Sequence, residues 1–116
     1  MLQRANRLRR DRDFRAAYSR GRRWASSCLF LFVRRRDERD VRIGFSVGKK
    51  IGGSVVRNRV KRRLRESCRE VLSALGPGSD LVFVARAPIR DMDGSAVRQA
   101  VVALLVESGR LRPEHG

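Results

Sequence analysis

The stretch Ser54–Leu75, SVVRNRVKRRLRESCREVLSAL, limits the possible folds of this chain more than any other. Val56, Val60, Leu64, Cys68, Val71 and Leu75 fall in one stripe when the chain turns by about 100° per residue. An apolar stripe of that kind must lie on a core, so the fold has to supply a layer for it to cover. The spacing predicts one helix over the whole stretch, roughly 30 Å long at about 1.5 Å per residue. Ser54 is placed to cap its first turn, and Gly76-Pro77 offers a left-handed exit followed by a residue that cannot continue the helix.

The rest of that helix divides into two polar faces. Asn58, Lys61, Arg62, Arg65 and Arg69 share one of them with no carboxylate. Arg59, Arg63, Glu66 and Glu70 share the other, where i,i+3 and i,i+4 pairs would partly neutralise the charge. A solvated face is the ordinary account of a charge run. Yet the segment from Arg57 to Arg65 holds six cations in nine residues and no acid, whereas a surface that serves solubility alone mixes both signs. Self-repulsion on that scale costs stability, so a polyanionic partner is the simpler account.

The whole chain repeats the imbalance, with 28 Lys and Arg against 12 Asp and Glu and a net charge of +16 in 116 residues. All the cations except Lys49, Lys50 and Lys61 are arginines, which suit bidentate phosphate contacts and stacking on bases. Nucleic acid is the first partner this implies, and an anionic membrane the second. The length predicts a single domain over 1–116, with residues 1–10 as a flexible basic arm. No apolar run approaches the roughly 18 residues of a membrane span. MLQRANRLRR lacks the apolar core of a secretory signal. Cys28 and Cys68 are too few for a disulfide framework or a four-ligand zinc site, and a cytoplasmic location fits.

Read in order, Asp11–Ser19 is a short helix with acids in its first turn and Gly21 beyond its end. Phe14, Ala17 and Tyr18 share one face of it, the ordinary pattern of core packing. A short strand follows near Arg23–Ala25, then Ser27–Val33, apolar on both faces and so expected to be central and doubly covered. The polar segment 34–40 reads as a hairpin turn holding Asp37, Glu38 and Asp40. In VRIGFSVG, apolar Val41, Ile43, Phe45 and Val47 alternate with Arg42, Gly44, Ser46 and Gly48, giving a small face that something large can approach. The loop Lys49-Lys50-Ile51-Gly52-Gly53 leads into the long helix. Asp80–Arg86 is a further strand, parallel to VRIGFSV across that helix, and Ser95–Ser108 a last helix with Gly109 past its end. The order describes a small α+β fold, a two-layer α/β sandwich.

Catalytic groups are scarce. The single histidine, His115, is the penultimate residue, which leaves no Ser-His or Cys-His apparatus. Asp91 and Asp93 precede a helix, where turn and capping roles are the usual ones. RNA binding is better supplied. Cations at Lys49, Lys50, Arg57, Arg59, Lys61 and Arg62 gather near a helix N-terminus that itself favours phosphate. Phe14, Tyr18, Phe30 and Phe32 are candidates to stack unpaired bases, at about 1–3 kcal/mol per base.

The segment GFSVGKKIGGSVVRNRVKRRLRE (Gly44–Glu66), with its Arg57-Asn58-Arg59 triplet, resembles the protein subunit of bacterial ribonuclease P. Arg7-Leu8, Asp13-Phe14, Gly21 and Asp80 to Arg86 extend the likeness over nearly the whole chain. The resemblance implies the order α-β-β-β-α-β-α, a ribosomal protein S5 domain 2-like fold with a left-handed βαβ crossover. It implies a protein without an active site of its own, monomeric apart from its RNA. Its partners would be a catalytic RNA that removes the 5′ leader of precursor tRNA, and that substrate itself. Arg57, Asn58, Arg59, Lys61, Arg62, Arg65 and Arg69, with Lys49 and Lys50, would contact RNA, while Phe14, Tyr18, Phe30 and Phe32 would line a leader cleft. The protein would bind no cofactor, and Mg2+ would belong to the RNA site. The Gly53-Ser54 pair departs from the expected basic or polar residue followed by Ala. A structural RNA-binding protein and a membrane-active cationic helix are the other readings the charge allows; the second conflicts with an apolar stripe already needed for the core.

Overall fold

In a computed structural model that describes residues 6–115, the apolar stripe of the long helix lies on a four-stranded sheet. The elements are α1 (Asp11–Arg20), β1 (Arg22–Ala25), β2 (Leu29–Arg35), β3 (Val41–Ser46), α2 (Ser54–Val71), β4 (Ser79–Ala85) and α3 (Gly94–Glu107), in the α+β order expected. The sheet runs β1-β2-β4-β3, with β1–β2 and β2–β4 antiparallel and β3–β4 parallel. The parallel pair joined through α2 is the expected βαβ unit.

The hairpin expected at 34–40 is absent, because β4 stands between β2 and β3. The segment instead crosses the end of β4, where Arg36 N–H bonds Gly78 O at 2.7 Å and Gly78 N–H bonds Arg39 O at 3.0 Å. β4 wins the inner place because Ser79–Phe83 are all buried, so its backbone needs partners on both sides. β3, with its small alternate face, tolerates the edge. Arg7 bridges Ile43 there and Leu8 N–H bonds Ile43 O at 2.9 Å, so residues 6–8 of the supposed arm lie along β3 with Leu8 buried, and Arg10 is already the N-cap of α1. The remainder of that arm, residues 1–5, falls outside the described residues.

Leu29, Leu31, Val33, Ile43, Leu81 and Phe83 point to the face covered by α2 and α3, where they meet Val60, Leu64, Cys68, Val97, Val101 and Leu105. The opposite face is only partly covered. There α1 packs through Ala17 on Val82, with Phe14, Phe32, Val84 and Leu8 around it. β2 is therefore not covered on both sides: Phe30 and Phe32 are left half-buried. Partial cover by α1 adds a short third layer to the expected two.

Helix ends differ in detail. Gly53 is the N-cap of α2, with no side-chain bond, and Ser54 is already helical, so it caps nothing. Regular α-helix stops at Val71, and Leu72–Ala74 continues as a tighter turn before buried Leu75. Gly78, not Gly76, takes the left-handed backbone (φ 73°), where a Cβ would sit 2.9 Å from Arg36 O. At α3, Asp93 caps by accepting Ala96 N–H at 2.8 Å, the role its position suggested, and Gly109 (φ 77°) follows the helix as expected.

Candidate nucleic-acid interface

The face of α2 that carries Asn58, Lys61, Arg62, Arg65 and Arg69 forms no salt bridge among the described residues. The mixed face behaves differently from its expectation of pairs along the helix. Glu70 pairs across to Arg98 of α3 at 2.6 Å, and Arg63 donates to Met92 O at 2.6 Å. Arg59 leans the same way, donating to Arg90 O at 3.4 Å. Its place in the Arg57-Asn58-Arg59 triplet therefore does not put it beside Lys61 and Arg65. At about 100° per residue, 59 and 63 share the side that meets α3 and the turn before it.

Lys61 and Arg65 are half-buried where α2 passes the edge of β3, and with Arg7, Arg9, Phe14 and Gly44 they border a cavity of about 200 Å³. Gly44 makes that junction possible. A Cβ there would lie 2.6 Å and 2.8 Å from two ring carbons of Phe14 and 3.0 Å from Leu8 Cβ. What approaches the small face of β3 is thus an aromatic ring of the same chain, carried by α1.

From Phe14 the aromatic surface continues outward. Tyr18 lies 6.5 Å from Phe14 and 4.9 Å from Phe32, the latter edge-on. Tyr18 is exposed, while Phe14 and Phe32 are half-buried against the α1 cluster, so packing and presentation share the same side chains. Phe30 stands apart from these three. Two guanidinium groups face its ring, Arg23 at 5.1 Å and Arg86 at 4.5 Å from the centroid.

The loop before α2 keeps Lys49 and Lys50 exposed, anchored by buried Ile51, whose N–H bonds Gly48 O at 3.1 Å. Without a side-chain cap or an acid in its first turn, the start of α2 retains N–H groups and positive potential for an anion. Arg57 is half-buried beside it and Asn58 exposed.

Sequence reasoning missed the support beneath this surface. Asp80 is fully buried on the same side of the sheet as Phe32 and Gly44. Arg42 grips it with two bonds, Nε to Oδ1 at 2.9 Å and Nη2 to Oδ2 at 2.8 Å. Arg36 Nε stands 2.8 Å from Oδ1, a charge contact whose N–H direction misses hydrogen-bond alignment, and Arg34 lies 3.6 Å from Oδ2. The bond to Asp80 raises the Arg42 pKa above its ordinary value. Arg42 also reaches Asp13 at 3.5 Å, which ties the first turn of α1, and with it Phe14, to the sheet. A lone acid opening a strand gives no sign of three arginine partners until the strand order is known.

Nothing described competes with this surface as a site of chemistry. No group of three or more His, Cys, Asp or Glu is placed to hold a metal ion among the described residues. Cys68 is fully buried, and desolvation pushes its thiol well above the usual range, so it is no nucleophile.

The arrangement has close counterparts. Residues 2–108 match the family model for ribonuclease P. The ribonuclease P protein component of Oceanobacillus iheyensis is 36% identical over 107 residues, covering 91% of this chain and 88% of that one. The one from Clostridium botulinum strain 657 is 40% identical over 105 residues, covering 90% and 95%. Among solved structures, the RNase P protein of Staphylococcus aureus superposes with a TM-score of 0.87 at 26% identity, over 92% of this chain and 98% of that one. The RNase P protein of Thermotoga maritima gives 0.79 at 28% identity, over 85% and 94%. Sequence and fold agree across almost the full length, and the chain belongs to the family of the ribonuclease P protein component.

Proposed function

We propose that this chain is the RNA-binding subunit of a ribonuclease P ribonucleoprotein that removes the 5′ leader from precursor tRNA. The observation that carries the reading is the meeting of two surfaces at Phe14 and Gly44. Unpaired cations of α2, Lys61 and Arg65, stand on one side, and the ribbon Phe14–Tyr18–Phe32 on the other. A single strand laid there would stack bases on the rings while guanidinium and ammonium groups follow its phosphates. Arg62, Arg69, Lys49, Lys50, Arg57 and Asn58 extend the cationic surface toward the catalytic RNA, and Phe30 with Arg23 and Arg86 extends the cleft along β2. Hydrolysis belongs to the RNA and its Mg2+; the protein holds the leader so that the RNA site meets its substrate. Apart from its RNA the protein is a monomer, and it acts in the cytoplasm.

Reconstitution tests this. Adding the chain to catalytic ribonuclease P RNA should lower the magnesium needed to cleave a precursor tRNA bearing a 5′ leader, and should help little on a substrate cut back to one leader nucleotide. Equal cleavage with and without the protein at low magnesium would overturn the assignment in favour of a structural RNA-binding role.

A further inference from the structure

At the other edge of the sheet, against β1, the structure holds a cavity of about 620 Å³ that the proposed leader path does not use. Arg20, Arg22, Arg34, Arg35 and Arg110 line it together with Trp24, and no carboxylate does. Arg34 is spent on Asp80 at 3.6 Å, and Arg110 donates to Ser79 Oγ at 3.0 Å. Arg20, Arg22 and Arg35 are exposed and enter no salt bridge among the described residues. Arg20 lies in the last turn of α1 and offsets a helix C-terminus worth about half a charge. The arginines still outnumber that half-charge. The Arg22 guanidinium stands over the Trp24 ring, 5.1 Å from its centroid, a cation–π contact that favours its place at the cavity wall.

Position separates this cavity from the leader groove. The leader cleft reaches β1 at Arg23, but Arg23 and Phe30 alternate along their strands with Arg22, Trp24 and Val33, so the two sites open on opposite faces of the sheet. Trp24 and Val33 also point to the α3 side, whereas Phe14 and Phe32 lie on the α1 side. A strand seated along Phe14 and Tyr18 does not reach it.

We propose that the cavity beside Trp24 is a second RNA contact, which grips the sugar–phosphate backbone of a separate RNA segment through Arg20, Arg22 and Arg35. The argument is charge complementarity. Uncompensated guanidinium groups on a rigid edge match phosphate oxygens in pairs, and they do so without reading bases. The subunit then holds RNA on the α3 side of its sheet as well as at the leader cleft and along α2. The inference rests on the ribonucleoprotein reading above. The backbone can come from the catalytic RNA or from the body of the tRNA.

Trp24 is the single tryptophan, so its emission reports the cavity directly. The full chain is titrated with catalytic ribonuclease P RNA alone and with mature tRNA alone, across a range of salt. The expected result is a change in Trp24 emission with at least one of them: the catalytic RNA or the tRNA body is then the source. In Arg20→Ala/Arg22→Ala/Arg35→Ala the log–log salt dependence of binding that RNA should become shallower by about 2–3, near one for each phosphate contact removed. Binding of a short single-stranded leader oligonucleotide should stay within about twofold, since none of the three borders that groove. Arg20→Glu/Arg35→Glu, both at exposed positions and checked for an unchanged circular dichroism spectrum, should weaken the same RNA at least as much. Lys61→Ala/Arg65→Ala supplies the converse, losing the leader oligonucleotide but keeping the Trp24 response. Wild-type emission unmoved by both RNAs, or a triple variant with the wild-type salt slope, overturns the second contact. Leader binding indifferent to Lys61→Ala/Arg65→Ala would instead count against the groove.

Discussion

Gly44 decides whether the cationic and aromatic surfaces meet at all. Its missing side chain leaves room for the Phe14 ring, with ring carbons where a Cβ would otherwise sit at 2.6 Å and 2.8 Å. Gly44→Ala therefore has two opposed effects. Reduced freedom of the unfolded chain stabilises by about 0.4–1 kcal/mol, while the overpacked contact costs about 1–3 kcal/mol because Leu8 Cβ blocks the nearest retreat. The net expectation is a loss of roughly 1–2 kcal/mol, seen as a lower urea midpoint with an unchanged slope. Displacing Phe14 should also weaken a single-stranded leader oligonucleotide about five- to tenfold in fluorescence anisotropy, within the range of one lost stacking contact. An unchanged midpoint and unchanged affinity would show that Phe14 moves aside freely. Asp80 does comparable work from below. One buried carboxylate gathers Arg42, Arg36 and Arg34, and the raised Arg42 pKa means that this guanidinium keeps its charge at every pH below its ordinary value. The arginines near Asp80 are thus structural, and the free ones on α2 are not.

That distinction can be tested on α2 itself, whose two polar faces have different employment. Arg65 borders the groove without a partner, and Arg63 donates to Met92 O at 2.6 Å. Arg65→Ala should make the salt dependence of leader binding shallower by about 0.7, the share of one single-strand phosphate, with little effect on thermal stability. Arg63→Ala should leave that slope alone and lower stability by about 1 kcal/mol through the lost bond. Identical salt slopes for the two variants would dissolve the division into faces. The division was legible in the sequence because helical periodicity is local: Val60, Leu64 and Cys68 fix one side, and the others follow by rotation. The same rotation put Arg59 on the side of Arg63; its bond to Arg90 O was not legible, since only the docked turn before α3 supplies that acceptor. Strand order was illegible for the same reason at larger range. Adjacent strands with a polar link read as a hairpin, and nothing within 34–40 reveals that β4 will enter between them. The sign that was present lay elsewhere, in the unbroken apolar run of β4 against the alternating pattern of β3. The buried Asp80 cluster depended on that same order and stayed hidden with it.

Across the whole molecule, the charge that favours RNA opposes folding. A net +16 is spread over a body with principal extents of 37 × 34 × 25 Å, so many like charges lie within a few Debye lengths at low salt. Anions can relieve this in two ways that separate experimentally. Screening depends on ionic strength alone, whereas occupation of sites such as the start of α2 depends on the anion's identity. Sulfate or phosphate should therefore raise the melting temperature more than chloride at matched ionic strength. Site binding at a hundred times the dissociation constant is worth about 2.7 kcal/mol, which corresponds to several degrees or more for a domain of this size. Circular dichroism melts in the three salts measure it. Coincident curves at equal ionic strength would mean that the cations act only as a diffuse field, and a protein whose arginines form no discrete phosphate sites could not hold an RNA strand in one register. A larger shift with sulfate makes the opposite case: discrete anion sites then supply counter-charges that the free protein lacks, as the phosphates of an RNA would under the proposed function.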